Sequence, residues 1–110
     1  MSAVHKELAE GRWSGFSLCT QLANVGSEVE RALNWERKGN AEYRSMAFHR
    51  ALELIDLTLR DAKNRGRMRE IARVREALVD YFAFDNEYRS TETQWRKYFR
   101  PFAYAARMGR

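Results

Sequence analysis

Residues 41–63, AEYRSMAFHRALELIDLTLRDAK, decide the fold. Ala47, Phe48, Ala51, Leu52, Leu54, Ile55, Thr58 and Leu59 recur at helical spacing, which gathers them on one wide apolar face. A face that wide meets two neighbours, so this stretch is expected to be the central helix. Asn64 to Gly66 is its stop signal. Upstream, Leu18, Leu22, Val25, Val29, Ala32 and Leu33 place one stripe on a helix over 17–38. Gly39-Asn40 ends it, because Gly tolerates the left-handed position after a helix. Downstream, Met68, Ile71, Val74, Leu78, Val79, Tyr81 and Phe82 share a side of a helix over 67–83. FDNEYRS (84–90) then reads as a polar loop with aromatic ends.

Thr91 and Gln94 form the T-x-x-Q pattern of a capping box. The helix it opens carries Trp95, Tyr98, Phe99, Phe102 and Ala106 on one face, with Pro101 inside. Proline removes a backbone donor, so a kink or a break is expected near 97–101. Residues 3–10 suit a short helix, and Trp13 and Phe16 an apolar plug over one end. Short connections force antiparallel neighbours. The expectation is all-α: an up-and-down four-helix bundle over 17–110, preceded by an N-terminal segment, 1–16, and closed by a Pro-kinked helix.

Composition agrees with this class. The 110 residues hold one Pro and six Gly, with 45% apolar and 32% charged residues, which is too ordered for a disordered chain and too poor in turn residues for a sandwich of short strands. No run of about 18 apolar residues exists, so no membrane span is expected. Met1 to Glu10 lacks an apolar signal core, and a cytoplasmic location is expected. Cys19 stands alone, without a Cys/His cluster for zinc. No Glu stands three residues before a His, as di-metal carboxylate bundles require. Gly11 to Gly15 lacks the lysine and the strand of a phosphate loop. The expectation is therefore no metal and no cofactor.

Charge is uneven. Residues 1–55 carry seven charges of each sign, so the net +5 lies wholly in residues 56–110. Lys63, Arg65, Arg67, Arg69 and Arg73, then Arg96, Lys97 and Arg100, form a candidate basic surface. Arg contacts phosphate or carboxylate in bidentate fashion, and a one-sided basic surface draws nucleic acid by counterion release. Trp95, Tyr98 and Tyr104 between them would stack on single strands. The plainer reading is a solvated face.

Some charges interrupt apolar stripes. Glu36 and Arg44 lie on either side of the Gly39-Asn40 turn, so a partly buried pair is the economical reading. Arg75 needs Glu28, Glu53 or Asp56, and spacing does not choose among them. His49, Glu53, Asp56 and Arg60 form a polar stripe on the second helix, read as a solvated or interfacial face. Gly26 sits on the apolar side of the first helix, where Gly costs about 1 kcal/mol relative to Ala. Another helix or a second copy of the first helix is expected to approach its backbone closely; the plainer reading is a simple kink before Ser27. Leu57 falls on the polar side of the second helix and is expected to be exposed.

Arg44-Ser45-Met46-Ala47-Phe48-His49 resembles the Arg-x4–6-His signature of HEPN domains, all-helical bundles that often dimerise and many of which are metal-independent ribonucleases. The resemblance implies that Arg44 would stabilise phosphate charge and His49 would assist proton transfer. Ser45 departs from the polar residue usual after the Arg, and a five-residue helical step points the two side chains about 140° apart. More widely, Lys38-Gly39-Asn40-Ala41-Glu42-Tyr43, Ala47 to Leu54, Asp80-Tyr81-Phe82 and Asp85-Asn86-Glu87-Tyr88 resemble a family of small prokaryotic helical proteins of unknown function. That similarity runs from about Trp13 to Ala106 and implies a fold without an activity. The favoured expectation is a non-enzymatic helical interaction protein that self-associates, most simply as a homodimer. The alternative is an RNA binder, or a HEPN-like ribonuclease or toxin–antitoxin component using Arg44 and His49.

Overall fold

The computed structural model describes residues 11–109. Four helices follow one another: α1 (Leu18–Arg37), α2 (Ala41–Arg60), α3 (Met68–Ala83) and α4 (Glu92–Arg107). No strand occurs among the described residues. Each turn has a local cause. Ser17 caps α1 by accepting from the Thr20 amide at 3.1 Å. Asn40 caps α2 through the Tyr43 amide, just after Gly39 takes a φ of 77° that a side chain would resist. Thr91 and Gln94 make both halves of the capping box ahead of α4.

The register is up-and-down. Glu28 pairs with Arg50 and Gln21 reaches Asp61, which sets α1 antiparallel to α2. Asp56 pairs with Arg75 and Arg44 reaches the Phe82 carbonyl, which sets α2 antiparallel to α3. Tyr98 reaches Glu70 across α3 and α4, and Arg96 reaches Glu30 across α4 and α1. One core joins all four helices through Val25, Leu33, Ile55, Leu78, Phe82 and Phe99.

The second helix is shorter than its apolar pattern implied. It ends at Arg60, and Ala62–Arg67 winds as a separate 3-10 turn. Asp61 makes the break: its backbone is extended, and its side chain accepts from the Lys63 amide at 3.2 Å. Helix α2 meets two neighbours, α1 and α3, and α1 is likewise approached closely by α2 and α4. Gly26 explains the approach of α4. A Cβ built there would stand 2.8 Å from Phe99 Cβ, so the neighbour pressing on the glycine is α4 of the same chain.

Two further expectations are corrected. Leu57 is 6% exposed and belongs to the core; it stands two turns after Arg50, which pairs with Glu28 of α1, so it lies on the α1 side of α2. Trp13 is buried in a 3-10 turn, whereas its edge-on neighbour Phe16 stays 38% exposed, so the plug is Trp13 alone. Helix α4 runs unbroken with the exposed Pro101 inside it. The expected short helix over 3–10 lies outside the described residues.

Candidate interaction surface

The α3–α4 corner is built around one carboxylate. Asp80, in the last turn of α3, accepts from the backbone amides of Glu87 at 2.8 Å and Tyr88 at 3.0 Å. Its own carbonyl accepts from the amides of Phe84 and Asn86. Asn86 and Ser90 close the loop reciprocally, side chain to carbonyl at 3.0 Å and amide to side chain at 2.9 Å. Asn86 and Arg89 take φ values of 54° and 57°, left-handed positions that Asn accepts readily and Arg rarely. The loop backbone is thus pinned from inside, and it holds Phe84 73% exposed and Tyr88 60% exposed. These rings, with Val79 and the side chains of Glu76, Asp85 and Glu87, wall a shallow cavity of about 460 Å³.

Charge at this corner opposes the rest of the chain. Residues 76–92 carry five carboxylates against Arg89 alone, in a protein of net charge +5. Asp80 is satisfied by amides, and Glu92 by Arg37 at 2.7 Å and Arg96 at 2.8 Å. Glu76, Asp85 and Glu87 have no ion pair among the described residues. At the other end of α3, Arg65, Arg69 and Arg73 are exposed and equally without an ion pair. The solvent face of α3 is therefore basic in its first half, and it turns acidic from Glu76 into the loop that follows. A helix dipole favours the reverse order, by about 0.3–1 kcal/mol per charge. Basic residues are absent from the last turn of α3, so its own dipole does not account for the pattern.

No family model, no curated protein and no solved structure matches the chain.

Arg44 and His49 are held by different groups. Arg44 Nε stands 3.7 Å from Glu36 Oε2, its Nη2 donates to the Phe82 carbonyl at 3.1 Å, and its guanidinium lies 4.9 Å from the Phe82 ring centroid. The two stripe-breaking charges thus meet across the α1–α2 turn and are steadied by α3. His49 is exposed, and its Nδ1 donates to the Ser45 carbonyl at 2.8 Å. No hydrogen bond joins it to Arg44. The polar stripe of α2 is divided. His49 and Arg60 face solvent and Glu53 is half-buried, while Asp56 turns to α3 and takes Arg75 at 2.7 Å. That contact keeps the Arg75 pKa above its ordinary value. Of the three partners open to Arg75, α3 packing selects Asp56.

Three of the eight candidate basic residues are neutralised. Lys63 pairs with Asp61 and donates to the Ser14 carbonyl; Arg67 pairs with Glu70 at 2.8 Å; Arg96 grips Glu30 and Glu92. Arg65, Arg69, Arg73, Lys97 and Arg100 remain. The stacking set is corrected as well. Trp95 is 6% exposed, with its indole N–H buried and lacking an acceptor. Tyr98 donates its hydroxyl to Glu70 at 2.7 Å; burial, then that carboxylate, hold its pKa well above the usual phenol range. Arg67 and Tyr98 in turn hold Glu70 below the ordinary carboxylate range. Only Tyr104 of the three rings is open to a base. No cluster of metal-ligating side chains occurs among the described residues, and no helix there is long and apolar enough to cross a membrane.

Sequence reading treated 84–90 as connection and missed this corner. The missed signal was the sign reversal from Glu76 to Glu92, directly after the most basic stretch of the chain.

Proposed function

We propose that this chain is a non-enzymatic helical interaction protein of the cytoplasm that self-associates. One observation carries the reading: a loop pinned by Asp80 and Asn86 displays Phe84 and Tyr88 to solvent. Aromatic side chains on a preorganised backbone lose little entropy on binding and are favoured as interface anchors. A loop with no such role gains nothing from holding two large rings in water. Nothing comparable supports catalysis, since the Arg44 guanidinium is occupied by Glu36 and Phe82.

Sedimentation across 1–100 micromolar, at about 0.1 M salt, tests this. The wild-type chain is expected to associate in the tens of micromolar. Phe84→Ala/Tyr88→Ala is expected to weaken association at least tenfold with unchanged helicity and melting temperature, since neither ring is in the core. A strict monomer at 100 micromolar removes the reading.

The RNA reading keeps one observation in its favour: Arg65, Arg69 and Arg73 are exposed and without an ion pair among the described residues. It predicts single-stranded RNA affinity that falls with salt on a log–log slope of roughly −2, about 0.7 per phosphate contacted by three such residues. Arg69→Ala/Arg73→Ala should flatten that slope. A flat wild-type slope excludes phosphate contacts, and undiminished RNA cleavage by Arg44→Ala or His49→Ala excludes the HEPN-like nuclease.

A further inference from the structure

We infer that the self-association surface is the solvent face of α3, paired antiparallel with the α3 of a second copy about a two-fold axis. The inference rests on the self-association reading above and gives it a geometry. Its ground is charge complementarity. Arg69 and Arg73 occupy the first half of this face, with Arg65 in the 3-10 turn before it; Glu76 stands just past its middle, with Asp85 and Glu87 in the loop beyond it.

These six side chains form no ion pair among the described residues. The other charges along α3 are already spoken for. Arg67 pairs with Glu70, Arg75 with Asp56, and Asp80 with two loop amides. Arg73 and Glu76 stand one turn apart on the same side, yet they form no ion pair with each other. A surface that is basic at one end and acidic at the other is self-complementary only when a second copy runs the opposite way. A two-fold dimer imposes that arrangement, since each residue i that meets residue j is matched by a j that meets i. With the axis midway between positions 74 and 75, residue r of one copy faces residue 149 − r of the other. Arg73 then meets the second copy's Glu76, and Arg65 comes to the turn that carries the second copy's Asp85. A parallel pairing would set like charges opposite one another at both ends.

Apolar contacts flank these charges. Met68 is 44% exposed at the start of α3, and Phe84 lies at its end. Helix α3 has 16 residues, hence a length of about 24 Å. With the corner loop it offers a contact at the small end of specific interfaces. A dissociation constant in the tens of micromolar and a marked salt dependence follow from that size and that charge.

The test is a charge-reversal mixing experiment on the full chain. Variant one is Arg69→Glu/Arg73→Glu, and variant two is Glu76→Arg/Glu87→Arg. All four positions are exposed, so circular dichroism should show wild-type helicity for both. Each variant alone should self-associate at least tenfold more weakly than wild type. An equimolar mixture should form a one-to-one complex at least as tight as the wild-type dimer, and the complex should weaken as salt rises. Wild-type self-association that neither variant weakens overturns the α3 pairing but leaves self-association standing. A monomeric wild type overturns both. Variants that weaken association without any complex on mixing show an interface that is electrostatic but not α3 against α3, which also overturns this inference. If variant one loses RNA binding while the dimer is unchanged, the basic half of the face serves nucleic acid and the pairing is likewise rejected.

Discussion

Gln21→Leu is expected to destabilise the protein by about 3–5 kcal/mol, a large share of the roughly 5–15 kcal/mol that holds a domain of this size. The side chain is wholly buried. Its Nε2 donates to the Trp13 carbonyl at 2.8 Å and to Asp61 Oδ2 at 2.9 Å. Its Oε1 accepts from Asn64 Nδ2 at 2.9 Å, and the same Asn64 amide donates to the Thr58 carbonyl. Thr58 in turn accepts from the Trp13 indole at 3.3 Å. This network ties the N-terminal turn to the start of α1, the end of α2 and the 3-10 turn after it. Leucine fills similar space but satisfies none of these groups. Each buried polar group left without a partner costs about 1–3 kcal/mol, and a network half satisfied is worse than none. The expected readout is a lower urea midpoint with an unchanged slope. Gln21→Glu tests the same site by charge. It keeps the acceptor for Asn64 but sets a second carboxylate against Asp61, so it should destabilise more at neutral pH than in mild acid.

Asp61 gives the wild-type network a pH dependence of defined sign. Burial acts to raise its pKa, but hydrogen bonds from Lys63 and Gln21 outweigh that, and the net value is below that of an ordinary aspartate. A carboxyl whose folded pKa is depressed contributes stability above its unfolded pKa and loses it as pH falls through the folded one. The wild-type melting temperature should therefore fall in acid, below the ordinary carboxylate range. In Gln21→Leu, one of the hydrogen bonds that lowers this pKa is gone, and the acid dependence should shrink.

How far the sequence speaks is clear from these residues. The four stripes, the Thr91 box and the Gly39 turn are local and repeat at short range, so they are legible without coordinates. The end of α2 was not. Leu59 and Ala62 continue the apolar pattern, and only the side chain of Asp61 folding back on the Lys63 amide stops the helix. Leu57 was misplaced because the apolar stripe alone does not show that α2 also buries the edge bearing Arg50, which meets Glu28 of α1. The buried trio of Gln21, Thr58 and Asn64 was invisible for a similar reason. Each residue is ordinary on a surface, and only a contact spanning 43 residues makes Asn64 a core group. At the corner, Asp80 reads as one more charge on a polar face until its carboxylate is seen to hold two amides. Ion pairs were legible in part. Hairpin geometry brings Glu36 to Arg44, but Arg75 needed the α2–α3 register to choose Asp56.

The second large effect concerns Gly26. On helix propensity alone, Gly26→Ala should stabilise α1 by about 1 kcal/mol. The opposite is expected, a net loss of about 2 kcal/mol. The new Cβ would stand 2.8 Å from Phe99 Cβ, 2.9 Å from its Cγ and 3.0 Å from its Cδ1. The first of these atoms is fixed by the backbone of α4, so no rotamer of Phe99 relieves the clash. The two helices must separate. That lifts Phe99 and Trp95 out of the core they share with Val25, Val29 and Leu33, and overpacking of this kind costs about 1–3 kcal/mol or more. It also strains the outer seam, where Arg96 holds Glu30 at 2.8 Å and reaches Asn34. Gly26→Leu enlarges the misfit and should cost more than Gly26→Ala, with a drop in melting temperature well beyond about 10 °C. Ser27→Ala, exposed one residue further on, supplies the contrast. It gains propensity with no clash and should be neutral or mildly stabilising. If Gly26→Ala proves stabilising by the full propensity difference, α4 does not sit against α1 at this glycine, and the α1–α4 register is wrong.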